Sequence, residues 1–316
     1  MTLRPPPTLS IVVPCFNEEA ALGTTNEVLL SLLERLVAAD AIAPESAVCY
    51  VDDGSRDATW SRIRAFAAAD PRVRGIRLSR NRGHQAALLA GLFNSPGDVV
   101  VSIDADLQDD PACIADMVLA YRQGSEIVFG VRASRESDTA FKRWTALAFY
   151  RLMQRLGVDL LHNHADFRLM SRRAIEALGE YREVNLFLRG LIPLMGFRTS
   201  TVRYDRCART AGETKYPLSR MVAFALEGIT SLSVVPLRLI TLFGLLVSFL
   251  SLLMIAYVLY GTLVLKAVIP GWASVVLPIY FLGGVQTLCI GILGEYVSKI
   301  YLETKARPRY FIEETL

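Results

Sequence analysis

The sequence predicts an α/β protein: a Rossmann-like, mainly parallel sheet wound with helices, then interface helices and a C-terminal two-helix transmembrane hairpin. Three observations predict it. Short apolar, β-branched runs alternate with helical patterns as far as Arg132. Polar residues gather where each of those runs ends. Finally, Leu239 to Leu265 and Ala267 to Gly294 contain no charged residue.

The first run is Leu9 to Pro14, after a polar, Pro-rich start, and a helical pattern follows from about Glu19 to Ala38. Ala47 to Asp52 is the second run, with a helix from Asp57 to about Ala69 that Asp57 can cap. Val73 to Leu78 and Asp98 to Ile103 repeat the theme around a helix from His84 to Phe93. Pro111 opens another helix, and Glu126 to Gly130 supplies a further strand. Strands that are apolar throughout, each followed by a helix, imply a parallel sheet covered on both faces. Ligands of such sheets sit beyond the carboxyl ends of the strands. The clusters Asn17-Glu18-Glu19, Asp52-Asp53-Gly54-Ser55, Asn81-Arg82-Gly83 and Asp104-Ala105-Asp106 all fall there.

Beyond Arg132 the rhythm stops. Phe141 to Leu156 is apolar and aromatic on one side and basic on the other, which suits a helix in a membrane interface; an ordinary surface helix packed on the sheet is the alternative. Each uncharged stretch exceeds the roughly 20 apolar residues that cross a hydrocarbon core of about 30 Å. Core helices apolar on every side for that length are uncommon. The short connection Lys266 to Trp272 carries Pro270 and Gly271, so the two spans should form a hairpin with both ends on one side.

Arg220, Arg238, Lys299, Lys305, Arg307 and Arg309 flank the spans, against a single Lys266 in the connection. The positive-inside bias therefore puts the N-terminal domain and the tail in the cytoplasm, at the cell (inner) membrane. The expected division is 1–217 for the α/β domain, 218–237 for a juxtamembrane segment, 238–297 for the hairpin (spans 239–265 and 272–295) and 298–316 for the tail.

A net charge of +3 is too small to indicate nucleic acid, and charge clustered beside the spans suits anionic lipid head groups. Five scattered cysteines without CxxC spacing indicate neither a disulfide framework nor a zinc site. Gly283-Gly284 and Gly291 allow close helix approach, and hence a homo-oligomer.

Asp104-Ala105-Asp106 is the strongest chemical signal. Two carboxylates two residues apart on a strand-end loop can both reach one hard cation, Mg²⁺ or Mn²⁺, with Gln108 and Asp109 close behind. Such a cation would neutralise a diphosphate leaving group, whereas an isolated DxD is usually a plain turn. In Asp52-Asp53-Gly54-Ser55, a strand-end carboxylate can accept from a base N–H or a ribose hydroxyl, and Gly54 allows a tight turn. An Asx turn with a helix cap is the alternative.

The runs Ile11 to Glu19, Val51 to Asp57 and Ser102 to Asp109 resemble the successive motifs of the GT-A, family 2 glycosyltransferases. Within that family the chain is most similar to polyprenyl-phosphate glycosyltransferases: bactoprenol glucosyltransferases and, more distantly, dolichol-phosphate mannose synthases. The resemblance spans the two-helix tail and is far less specific for the sugar. It implies that Pro14, Phe16, Glu18 and Asp53 line the nucleotide pocket, with Phe16 standing where many relatives have Tyr. It implies that Asp104, Ala105 and Asp106 bind the donor, with Asp104, Asp106 and Gln108 on the metal. Asp166, in Ala165 to Leu169, becomes the proposed catalytic base. Arg132 grips the acceptor phosphate, and Arg206, Arg209, Lys215 and Tyr216 belong to a loop near the phosphates.

The implied reaction is inverting transfer of a hexose, with UDP-glucose as first choice, onto polyprenyl (undecaprenyl) phosphate. GDP-mannose or a modified UDP-sugar is the alternative donor. A lipid monophosphate is already mostly ionised at neutral pH, its second pKa being about 6, so Asp166 is expected to position the acceptor more than to remove a proton. A processive polysaccharide synthase fits less well, because Ala140 stands at the Gln position of a QxxRW motif ending in Arg143-Trp144. Intact Asp104, Asp106 and Asp166 argue against a non-catalytic membrane scaffold.

Overall fold

The computed structural model describes residues 3–132, 164–183, 188–204, 235–263 and 271–316. They fall into two compact units: one holds the α/β domain together with 306–316, and the other holds the apolar helices.

In the α/β unit, β1 (Leu9–Cys15), β2 (Ala47–Asp52), β3 (Val73–Leu78) and β4 (Val99–Ser102) alternate with α1 (Leu22–Ala38), α2 (Thr59–Ala69) and α3 (His84–Asn94). A 3-10 turn, Pro111–Cys113, leads into α4 (Ile114–Arg122), and β5 (Ile127–Arg132) follows. After it come β6 (His164–Ser171), α5 (Arg172–Gly179), α6 (Leu188–Leu194) and β7 (Thr199–Tyr204). The sheet order is β7-β5-β6-β4-β1-β2-β3-β8, where β8 is Ile312–Thr315 from the tail. Strands β4, β1, β2 and β3 are mutually parallel, while β6 and β8 run against their neighbours. The expected mainly parallel sheet is therefore present, with antiparallel members near both edges.

Every residue of β1, β2 and β4 is buried, as strands covered on both faces require. Leu9, Ile11 and Val13 pack with α1, α2 and α4, while Val12, Val51 and Val100 pack with α3, α5 and α6. Each such side chain contributes about 1.5–3 kcal/mol of transfer free energy. Pro14 is tolerated in central β1 because its side of the backbone faces β4 beyond the last paired residues, Val12 and Ser102. The helix expected from Glu19 begins at Leu22, and the one expected from Asp57 begins at Thr59, where the Thr59 N–H donates to Asp57 Oδ1 at 3.0 Å.

The second unit holds α7 (Val235–Leu263) and α8 (Trp272–Thr304). Within α8, Phe281–Thr304 is long and apolar enough to cross a membrane. Large apolar side chains, among them Leu242, Leu245, Phe249, Leu288 and Ile290, stand exposed along both helices. The expected interface helix at 141–156, most of the juxtamembrane segment and residues 266–270 of the connection lie outside the described residues. Cys15 and Cys49 are buried free thiols, and burial pushes Cys49 up to about 11, as inert core residues require.

Candidate active site at the carboxyl rim of the sheet

The loops after β1 and β2 are stitched together. Asn17 takes a left-handed backbone, φ 55°. Its N–H donates to Ser55 Oγ at 2.9 Å, and its side-chain oxygen accepts from the Arg56 N–H at 2.9 Å. The Glu18 N–H donates to Thr59 Oγ1, and the Ala58 N–H to Glu19 Oε2. Phe16, one residue past β1, is 44% exposed, which is unusual for a large apolar side chain beside a core strand. Pro14 is buried in β1, and Glu18 is half-buried at the rim.

Asp53 is buried and accepts two backbone N–H groups from the loop after β3: Arg82 to Oδ1 at 2.7 Å and Gly83 to Oδ2 at 2.8 Å. Gly54, at φ 68°, lets that loop pass, because a Cβ here would lie 2.7 Å from backbone atoms of Arg80 and Asn81. Asp53 therefore shapes the rim as well as lining it. Burial pushes its carboxyl up, against the pull of the two amides. Asp52 is fully buried with Arg77 Nε 3.5 Å away, and burial raises it too.

After β4, Ala105 is buried while Asp104 and Asp106 stay part-exposed. The Ala105 carbonyl accepts from Thr25 Oγ1 at 2.7 Å, and Leu107 has φ 49°. Gln108 is buried, and its backbone N–H donates to Asp106 Oδ1 at 3.3 Å. Buried Asp109 accepts from the Tyr204 hydroxyl at 2.5 Å, tying this loop to the end of β7.

Strand β6 is antiparallel to β4 with Ser102 opposite Arg168, so residues two steps past each, Asp104 and Asp166, reach the same level. Asp166, 13% exposed, accepts from Arg168 Nη2 at 2.5 Å and from Arg189 Nη2 at 3.0 Å. His84, the first residue of α3, puts Nε2 3.6 Å from Asp166 Oδ2 and 3.8 Å from Asp104 Oδ1. Burial would raise Asp166, but the nearby His84 imidazole and the two guanidiniums outweigh it and hold the carboxyl well below the usual carboxylate range. Burial likewise opposes charge on His84, yet the neighbouring Asp166 and Asp104 carboxylates raise it above its ordinary value. Asp104 retains 47% side-chain exposure. Its recessed position, with Asp166, Asp109 and Asp106 nearby, nonetheless pushes it up, only partly countered by His84.

The rim thus joins Phe16, Glu18, Asp53, Asp104, Asp106 and Asp166. Arg132 closes β5, paired with Tyr204, and nothing is described of its side chain. Arg206, Arg209, Lys215 and Tyr216 lie outside the described residues. Three participants escape a sequence reading: His84, Arg168 and Arg189. His84 directly follows the strand-end cluster Asn81-Arg82-Gly83, and Arg168 sits in the same short run as Asp166, so each had a local signal. Arg189 had none.

The parallel strands thus carry carboxylates at their ends, facing a charged antiparallel strand. The chain belongs to the family described as Glycosyl transferase family 2, whose model matches residues 10–179, and it carries the α/β GT-A fold. The uncharacterized glycosyltransferase YkoT of Bacillus subtilis is 50% identical over 312 residues, covering 97% of this chain and 91% of that protein. A bactoprenol glucosyl transferase of Shigella phage SfX is 40% identical over 307 residues, covering 96% and 98%. Among solved structures, glucosyl-3-phosphoglycerate synthase from Mycobacterium tuberculosis shows a TM-score of 0.47 at 20% identity, covering 71% of this chain and 77% of that one.

Proposed function

We propose that this glycosyltransferase moves a hexose, with UDP-glucose the first candidate donor, onto polyprenyl (undecaprenyl) phosphate with inversion at the anomeric carbon. One observation carries the reading: Asp104 of the donor loop and Asp166 of β6 meet across His84 at 3.8 and 3.6 Å, with Arg189 on the far side of Asp166. The same rim therefore offers carboxylates for a cation and cations for a phosphate. The similarity to bactoprenol glucosyl transferases over nearly the whole chain supports the lipid acceptor.

The residues fit a divalent cation. Asp104 and Asp106 are part-exposed, and desolvation, with a smaller push from neighbouring carboxylates, raises Asp104, a penalty that a cation relieves. Among the described residues no group of three His, Cys, Asp or Glu is arranged as a metal set. Two carboxylates suit Mg²⁺ or Mn²⁺, which keep water or substrate phosphate as further ligands. Gln108 is buried and supports the loop as readily as it would ligate. When bound, the cation would offset charge on the departing diphosphate.

An acceptor phosphate oxygen attacks the anomeric carbon, the bond to the nucleoside diphosphate breaks, and no proton need move. A phosphate ester is mostly dianionic near pH 7, its second pKa being about 6. Asp166, committed to two guanidiniums and His84, acts by holding Arg189 and His84 where two anionic substrates converge. Arg189, 36% exposed, presents its charge at the rim. Phe16 offers a face for the base, Pro14, Glu18 and Asp53 frame it, and Arg132, Arg206, Arg209, Lys215 and Tyr216 complete the phosphate grip.

Helices α7 and α8 cross the membrane as a hairpin, with both termini cytoplasmic. The apolar side chains exposed along them support this, and Phe281–Thr304 suffices for one span. A site fixed at the membrane meets a phosphate that cannot leave the bilayer. Association of hairpins into a homo-oligomer belongs to the same reading.

The test is release of nucleoside diphosphate by full-length protein in nanodiscs containing undecaprenyl phosphate and Mn²⁺, across a panel of nucleotide sugars. Wild type should release it with one donor, and Asp104→Ala should not. Equal release by the two proteins sinks the reading.

A further inference from the structure

The tail segment 306–316 belongs to the α/β unit, although it follows directly on Lys305 of the apolar one. Its last residues form β8 against β3, with Ile76 opposite Thr315 and Arg77 opposite Glu314. Glu314 accepts from Trp60 Nε1 at 3.1 Å and, with both oxygens, from Arg64 Nη2 at 2.7 Å. These bonds anchor the strand to β3 and to the first turns of α2.

Nearer the rim the tail makes a second set of contacts that edge pairing does not need. Arg82 donates from Nε to the Arg309 carbonyl at 2.8 Å and from Nη2 to the Pro308 carbonyl at 2.9 Å. The Arg82 backbone is at the same time held by Asp53 at 2.7 Å, and the next residue but one is His84. Arg309 in turn sends its own guanidinium to the carbonyls of Glu183, at 3.0 Å, and Tyr181. The loop entering α3 and the segment leaving α5 are thus both fastened to one short stretch of tail.

We infer that the tail is a brace for the active site, and that Arg82 and Arg309 are positioning residues which hold the loop carrying His84 in register with Asp104 and Asp166. Asp53 fixes that loop from inside through its amides, and the tail fixes it from outside through the Arg82 side chain. Gly83, at φ 89°, joins this doubly held loop to α3. Losing the outer clamp frees Gly83 and lets His84 swing away from the two carboxylates.

The kinetic side of this inference rests on the proposed transfer reaction, while its structural side does not. The experiment uses the full-length protein in nanodiscs with Arg82→Ala, Arg309→Ala and Arg82→Lys. Glu314→Ala serves as a variant that weakens only the anchor on α2, which makes no contact with the loop entering α3. Amide hydrogen exchange of Arg82 and Gly83 is measured beside donor KM, kcat and the melting midpoint. Arg82→Ala should speed exchange at both amides and raise donor KM roughly tenfold, the equivalent of one charged hydrogen bond. The midpoint should stay near wild type, and Arg82→Lys, which reaches one carbonyl, should recover part of the loss.

Unchanged exchange in Arg82→Ala overturns the inference. So does a donor KM that rises equally in Glu314→Ala and tracks the midpoint, because the tail would then be stabilising the domain as a whole. If wild type turns over no nucleotide sugar, the proposed function fails, and exchange still decides whether the brace exists.

Discussion

Asp53 and Asp166 are two well-shielded carboxylates on the same rim, and they are satisfied in opposite ways. Asp53 accepts two backbone amides, and burial wins, so its carboxyl is pushed up. Asp166 faces two guanidiniums and an imidazole, and the charges win, so it is held well below the usual range. Amide dipoles fix a loop without leaving charge for a substrate. Ion pairs leave a charged cluster, of which His84 and Arg189 remain part-exposed. The first carboxylate is architecture, and in the proposed reaction the second would organise the cations that two phosphate-bearing substrates require.

Asp166→Asn should show the contrast most sharply: kcat/KM for nucleoside diphosphate release should fall by about 100-fold or more. Buried Arg168 would lose its partner, at about 3 kcal/mol of stability in urea titration. Activity within a few-fold of wild type would reduce Asp166 to the rank of Asp53. Chelation with EDTA should suppress turnover on a similar scale, and Mn²⁺ or Mg²⁺ should restore it; turnover that survives metal removal contradicts a cation at Asp104 and Asp106.

His84→Gln keeps a donor but discards the charge, and kcat should drop about tenfold with the melting midpoint unchanged. Asp53→Asn should do the reverse. One of the two amides loses its acceptor, stability falls by about 2 kcal/mol, and donor KM rises as in Arg82→Ala while kcat at saturating donor changes little. A kcat loss matching that of His84→Gln would mean that Asp53 acts on substrate directly.

The smallest effect lies in acid stability. A carboxyl whose folded pKa is depressed stabilises the protein above its unfolded value, about 3.9, and that contribution is lost as pH falls through the folded value. Wild type should therefore lose stability more steeply below about pH 4 than Asp166→Asn does. Identical acid limbs in the two proteins would contradict the cationic cage.

Strands β1, β2 and β4 were legible as apolar runs buried on both faces, and β3, with Arg74 exposed, by its place in the alternation of strands and helices. Strands β6, β7 and β8 were not. Strand β8 is four mostly exposed residues, Ile-Glu-Glu-Thr, and owes its conformation to the β3 edge beside it. In β6, His164 to Ser171 alternates polar with apolar residues, as a strand at the margin of a parallel core allows. Asp104, Asp106 and Asp166 stood out as strand-end or motif carboxylates, whereas the partners that give Asp166 its charge state did not. Arg189 reaches it from a separate helix, 23 residues along the chain.

The sequence by itself determined the class of fold, the polar rim of the sheet and the carboxylates available there, because burial patterns and strand-end polarity are local. Tertiary structure decided what those carboxylates do. The β4–β6 register brought Asp104 level with Asp166, α3 delivered His84 between them, and the tail locked the loop behind it. Electrostatic roles depend on distances across the sheet, and local sequence does not set those distances.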